Sequence, residues 1–449
     1  MKSLRSILSG NLLIFTLSDA LRALSIFITF PYFSLYVLAL GGSTVDIGLV
    51  NSLLPIAALF VYPIAGYLAD RYDRVKIIAV SGYISAVLYL IFALAPDWRY
   101  LALGNFLIGL MVFQFPAMNA LMADSLPAER RGVGYSLWIA LPSAVGILSP
   151  YIGGYLITAL GVDKAMKSLY WLSAAVIVGI ATMNLKFLKE TNTPKNAKAS
   201  GSGFVKILVD SYRDMIEVLG SLPRNLKRFT FMLVLSFFIN NLAAPYWVVY
   251  GVGVIGLSKI EWGTVLMVAA VVNTILLVPA GLLVDRIGAR MALSFSLAFS
   301  VAPILFFPYS RKFMDTMLLF VAITVANTFL ISGAPAFMAE SVPVERRGRV
   351  MAALGQGMLF INTIGGSGGP GMGAILTIPS ILGYALGGFL YSYDPKLLWI
   401  LLALSMLVNA AICLIFLGPS THEMGPAPGG DLRQPPSIRI TPKDGKHED

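Results

Sequence analysis

An all-α integral membrane fold, twelve transmembrane helices in two pseudo-symmetric halves of six, is what this sequence predicts, on three observations. The 449 residues are 57% hydrophobic and 12% charged, with a mean hydropathy of +0.78, so the chain carries roughly half the charge of a soluble domain. Apolar runs long enough to span a bilayer, which takes about 20 residues, follow one another along almost the whole sequence. Two stretches recur: Gly66–Arg71 as Gly281–Arg286 and Ala123–Gly132 as Ala339–Gly348, at offsets of 215 and 216 residues. Because the two offsets agree to within a residue, the chain is a duplication.

The first run, 11–40, follows Lys2 and Arg5 as the core of a signal peptide would. Its continuation to Leu40, with Asp19 and Arg22 inside it, reads instead as a retained helix. Runs at 47–69, 75–95, 100–122, 133–160 and 168–187 complete the first half, 1–190. In the linker, 191–228, Phe204, Leu208, Met215 and Leu219 share one helix face and Lys206, Asp210, Arg213, Asp214 and Glu217 the other. That is the pattern of an amphipathic helix on the membrane surface. The second half, 229–418, holds runs at 229–254, 262–284, 289–309, 314–338, 372–392 and 397–417, and a Pro-, Gly- and charge-rich tail at 419–449 reads as disordered. Backbone groups in lipid must be satisfied within the segment, and no alternating barrel pattern is visible, so each span is a helix.

Charge fixes the expected topology. Lys and Arg divide 25 to 7 between alternate connections, with Arg22 inside a helix, which places both termini in the cytoplasm. The net charge of +10 is therefore a topology signal, and no nucleic-acid partner is expected. Six helices per half is an even number, so the halves are parallel repeats about an axis along the membrane normal. Short external connections without an Asn-x-Ser/Thr acceptor fit a prokaryotic plasma membrane. The single cysteine, Cys413, and two histidines, His422 and His447 in the tail, leave no disulfide framework, cysteine metal site or membrane-buried imidazole; no metal or cofactor is expected.

These motifs also carry a family likeness. Gly66-x-Leu68-Ala69-Asp70-Arg71-x-x-Arg74 resembles the signature loop between helices 2 and 3 of the major facilitator superfamily, and Gly281-x-Leu283-x-Asp285-Arg286-x-Gly288-x-Arg290 resembles its counterpart between helices 8 and 9. Ser149-Pro150-Tyr151-Ile152-Gly153-Gly154 is similar to the antiporter motif of that superfamily's drug:proton efflux branch. Three positions depart from the pattern: Asp73 stands for a Gly in the first loop, Ser149 for a Gly before the proline, and Asn105 for the Arg of many proton-coupled members. The resemblance implies a monomeric secondary transporter of a small molecule, with the two halves rocking around a midplane site.

Asp19 and Arg22 lie about 10 and 15 Å along the first span, near the middle of a core about 30 Å thick. There each charge costs roughly 2.5–3.5 kcal/mol unless paired or wet. At i, i+3 they meet on one helix face, which allows a structural ion pair or a proton-coupling site with Asp19 as the titrating carboxylate. Candidate substrate contacts are Tyr32 and Tyr36 in helix 1, Asn240, Asn241, Trp247 and Tyr250 in helix 7, and Gln114 in helix 4. The aromatic residues fit an interfacial belt equally well, and Gln114, Asn119, Asn273 and Asn327 could serve as interhelical hydrogen bonds.

The loop residues read as a conformational gate: Gly66 and Gly281 for close helix approach, Asp70 and Asp285 to accept from helix N-termini, and Arg71, Arg74, Arg286 and Arg290 to pair with Asp124 or Glu340. The second half is 18 residues longer before helix 11, an insert near 349–371 whose apolar residues from Met351 predict a short helix at the inner leaflet, ending in the Gly365–Gly373 turn. That glycine run lacks the Lys-Ser/Thr ending of a phosphate loop.

Proton-coupled efflux of small hydrophobic solutes follows from the antiporter-like motif and the mostly neutral aromatic cavity. Uptake of a small organic anion is the alternative that Arg22 motivates. A membrane enzyme would need clustered intramembrane His, Asp or Glu, and a passive channel polar rings or a filter motif; the spans have neither.

Overall fold

The computed structural model describes residues 8–126, 131–191, 209, 212–213, 216–217, 219–220, 222–342, 350, 354–355, 357–364 and 373–418. Lys2, Arg5, most of the linker, the 365–372 glycine run and the tail lie outside these, as do the side chains of Gly66, Asp70 and Arg131. Twelve membrane-length apolar helices run α1 (Gly10–Ala39), α2 (Thr44–Arg71), α3 (Arg74–Ala93), α4 (Trp98–Ser125), α5 (Val133–Leu160), α6 (Val162–Phe187), α7 (Arg224–Gly253), α8 (Lys259–Ile287), α9 (Ala289–Tyr309), α10 (Phe313–Ser341), α11 (Ala374–Tyr393) and α12 (Leu397–Phe416). The chain is an all-helical, multi-pass membrane protein.

The duplication is visible in the local chemistry. α2 and α8 open with the same capping box 215 residues apart: Ser43 and Asp46 in one, Ser258 and Glu261 in the other, each hydroxyl accepting from the acid's backbone N–H and each acid from the serine's. α1 and α7 both tighten into a three-residue 3₁₀ turn with proline in its middle, Phe30–Tyr32 and Ala244–Tyr246, because Pro31 and Pro245 supply no N–H to the α-helical ladder. Asp73, the acid that replaces glycine in the first signature loop, caps α3 by accepting from the Lys76 N–H at 2.9 Å.

Packing repeats the same symmetry. Within the first half α1 packs on α5 and α6, α3 on α6, and α2 on α4; within the second, α7 packs on α11 and α12, α9 on α12, and α8 on α10. The halves meet along α2 against α11 and α5 against α8. α8 packs on Ser149–Leu160, the second part of α5; the first part, up to Gly146, has no comparable packing on it among the described residues. The halves are thus joined firmly on the face away from the termini. Described linker residues from 209 to 220 are helical; Tyr212 donates to the Leu59 carbonyl of α2, and burial pushes its phenol up to about 12, so it stays a donor.

The insert differs from its sequence expectation. Val350 and Leu354 are helical, and 351–353 and 356 lie outside the described residues, but 357–364 form no helix, and Leu359 and Ile361 are buried rather than lying on a membrane surface. The reason is that the chain finds hydrogen-bond partners on α7 and α10 that local sequence does not announce.

Candidate functional site

A cavity of about 410 Å³ lies inside the first half, walled by α1, α2, α3, α4 and α6, with Thr377 as the α11 contribution. Its wall is mostly apolar and aromatic, including Phe27, Phe30, Phe33, Phe92 and Phe115, interrupted by Arg22, Tyr62, Tyr89, Asn105, Gln114, Tyr170 and Asn184. Such a surface holds an apolar body and offers a few oriented polar contacts.

Arg22 is the charged member. Its guanidinium stands 3.3 Å from the Asp19 carboxylate, and the other Asp19 oxygen accepts from the Trp138 indole of α5 at 2.6 Å. Asp19 itself is not among the lining residues. The pair can therefore exchange partners: anything that neutralises Asp19 releases Arg22 toward the cavity, and an anion in the cavity competes with Asp19 for Arg22. Asn105, at the position where the family resemblance expects an Arg, donates to the Val50 carbonyl at 3.0 Å and so ties α4 to α2. Gln114 lines the cavity and accepts from Ser81 of α3 at 3.2 Å.

The aromatic candidates of helices 1 and 7 sit elsewhere. Tyr32, Tyr36, Trp247 and Tyr250 are almost wholly buried and do not line the cavity. The tyrosine hydroxyls fasten backbone. Tyr32 donates to the Pro150 carbonyl at 2.7 Å and lies 3.2 Å from that of Lys259 on the other half. Its counterpart, Tyr246, donates to the Thr44 carbonyl at 3.0 Å, also across the halves. Tyr36 and Tyr250 repeat the arrangement within their halves, on Phe92 and Pro308. Trp247 packs on Phe307, Phe320 and Trp399. Asn241 bonds Ser380 of α11 at 2.9 Å, and Asn240 accepts from the Asn362 N–H at 3.0 Å.

The antiporter-like motif belongs to these fasteners. A methyl group on Gly153 would fall on the Ile28 carbonyl, and one on Gly154 on the Lys259 carbonyl; on the opposite seam Gly387 meets Leu242 and Gly388 meets Thr44 and Val45. Ser149 is fully buried and Pro150 supplies the carbonyl that Tyr32 bonds.

Of the gate residues, Arg74 is buried and reaches Asp124 at 2.6 Å and the Ala69 carbonyl at 3.1 Å, while Glu190 accepts from its backbone N–H. Arg290, the last arginine of the second signature loop, bonds the Cys413 and Leu414 carbonyls at the end of α12 at 3.2 and 2.5 Å instead of Glu340. Asp285, Arg286 and Glu340 form no ion pair among the described residues. Gly281 has open space where close helix approach was expected, because α8 and α5 are apart at that end.

Sequence reasoning missed Tyr62, Tyr89, Tyr170 and Asn184. Attention to charges and amides on helices 1 and 7 passed over tyrosines on α2, α3 and α6, whose inward direction is set by packing.

The Major Facilitator Superfamily profile matches residues 15–370. An uncharacterized MFS-type transporter of Methanocaldococcus jannaschii is 21% identical over 415 residues, 91% of this chain and 95% of that protein. The multidrug resistance protein MdtG of Serratia proteamaculans is 27% identical over 42% of this chain and 46% of its own length. The quinolone resistance protein NorA of Staphylococcus aureus is 23% identical over 41% and 45%, so these two matches span about half of the relatives concerned. Among solved structures, a bacterial homolog of the human lysosomal transporter Spinster in an inward-facing, occupied conformation superposes with a TM-score of 0.65 at 14% identity, covering 90% of this chain and 95% of that one. The nucleoside transporter NupG superposes with a TM-score of 0.64 at 14% identity, covering 90% and 98%. With its repeated signature loops, its two packed halves of six helices and a profile match over most of its length, the chain belongs to the major facilitator superfamily of membrane transporters.

Proposed function

We propose that this transporter moves small, largely apolar solutes out of the cell in exchange for protons, by alternating access. In this reading it works as a monomer in the plasma membrane with both termini in the cytoplasm. The observation that carries the reading is the aromatic cavity of about 410 Å³ with the Arg22–Asp19 pair at its wall. The cavity accepts an apolar body, and Asp19 is a carboxylate that can take a proton at membrane depth. The likeness to multidrug and quinolone resistance proteins supports efflux, as does the antiporter-like motif at Ser149, Pro150, Gly153 and Gly154. Proton binding at Asp19 would loosen Arg22 and the contact to Trp138 on the first part of α5.

A second reading, uptake of a small organic anion with protons, has its own observation: Arg22 lines the cavity and Asp19 does not. Proteoliposomes with an imposed pH gradient distinguish the two. Lipophilic cations and neutral dyes moving against the proton gradient support efflux, and accumulation of aryl carboxylates alone with the protons establishes the second reading. Transport of both classes at rates indifferent to the gradient would refute proton coupling.

A further inference from the structure

We infer that the insert segment 357–364 is a resident occupant of the second half, filling the place that the cavity takes in the first and confining solutes to one half of the molecule. The inference rests on the reading of the first-half cavity as the solute site.

The repeat offsets locate the segment. Its Ile361 N–H donates to the Asn327 side-chain oxygen at 2.8 Å and its Asn362 N–H to that of Asn240 at 3.0 Å. The 3₁₀ turns of α1 and α7, 214 residues apart, make Ile26 the counterpart of Asn240, and the offset of 216 makes Met111 that of Asn327; both of those line the first-half cavity. Two successive backbone N–H groups are thus taken up by amides of two different helices, α10 and α7. Unpaired backbone groups at membrane depth are expensive, which gives these two asparagines a purpose that their isolated positions in apolar helices do not explain.

The packing agrees. Leu359 and Ile361 are 1% exposed, Phe360 sits edge-on to Phe237 at 5.8 Å, and Gly357, at φ +69°, lies where a methyl would fall on the Met338 sulfur. The space left between Asn240, Asn241, Phe360 and Asn362 is about 10 Å³, too small for a solute. The apolar core of α7 is 83% buried against 39% for its counterpart α1. The length of the insert is itself anchored by packing: Gly153 meets Ile28 and Gly387 meets Leu242, equivalent pairs on either side of the 18-residue difference.

The test separates seating from transport. In a Cys413→Ser background, Ile361→Cys should react with a small maleimide at least tenfold more slowly than Ile108→Cys in the first-half cavity. Adding Asn240→Ala and Asn327→Ala should remove most of that protection, with the size-exclusion profile unchanged. Equal rates for the two single cysteines would overturn the seating. Replacing Leu359, Phe360 and Ile361 by glycine should then raise transport of the largest members of a series of alkyltriphenylphosphonium cations at least tenfold relative to the smallest. An unchanged size profile, where the same variant with cysteine instead of glycine at 361 labels freely, would overturn the confinement. If the parent protein moves no member of the series, the solute-site reading fails, while the labelling rates still decide whether the segment is seated.

Discussion

Asp19 has two partners, and each predicts a different loss. Asp19→Asn keeps an oxygen for the Trp138 indole but leaves Arg22 without its counter-charge. Because both side chains are about a quarter exposed, the expected stability loss is modest, about 1 kcal/mol, and Arg22→Gln added to it should restore most of it. Proton-driven accumulation should vanish in Asp19→Asn while solute exchange survives; full accumulation would make the pair structural. The two charges were legible in sequence, since nothing hides a charge inside a long apolar run, and their i, i+3 spacing foretold the contact. The Trp138 bond was not, because its donor lies 119 positions away. The same limit applies to Tyr32 and Tyr246, readable as aromatic residues near helix ends but not as fasteners, since the Tyr32 acceptors are 118 and 227 positions off. Tyr32→Phe should weaken that seam by about 0.5–1.5 kcal/mol, a shift of roughly 2- to 12-fold toward opening on that face. An impermeant thiol reagent applied there to Phe30→Cys would report it, and an unaltered labelling rate would deny Tyr32 a fastening role.

At the scale of the element, the glycines of the two seams behave unlike Gly281 of the second signature loop. A side chain on Gly263 of α8 would strike the Pro150 carbonyl and the Tyr32 hydroxyl, and one on Gly48 of α2 the Tyr384 carbonyl, whereas Gly281 faces open space. Gly263→Val should therefore hold the seam open and reduce transport at least tenfold while the helices still form. Gly281→Ala should leave thermal stability within about 1 kcal/mol, since alanine is the better helix former. Equal effects of the two would remove the distinction. Helix number and order were legible because hydropathy is a local signal. The insert was legible only in length: its apolar residues read as a helix, and the amides that bond the backbone of Ile361 and Asn362 sit on α10 and α7, away in sequence.

At the scale of the whole molecule, the helix pairings of one half have mates in the other, yet the cavity of the first half has none among the described residues: duplication fixes where helices cross, while the fillings of the two halves differ. The face away from the termini is held by α5 on α8 and by α2 on α11, and on the latter seam Thr44 and Ser392 bring their hydroxyl oxygens to 2.7 Å. That proximity suits a covalent test of rocking, since a bridge there joins the halves without touching the cavity wall. With Cys413→Ser, Thr44→Cys and Ser392→Cys should form a disulfide or accept a short bifunctional reagent. Bridging should stop transport and block labelling of Phe30→Cys from that face. Labelling from the terminus-bearing face should continue at its former rate, and reduction should restore both activities. Undiminished transport in the bridged protein would mean that the halves do not part along this seam, and the alternating-access movement would have to be placed elsewhere.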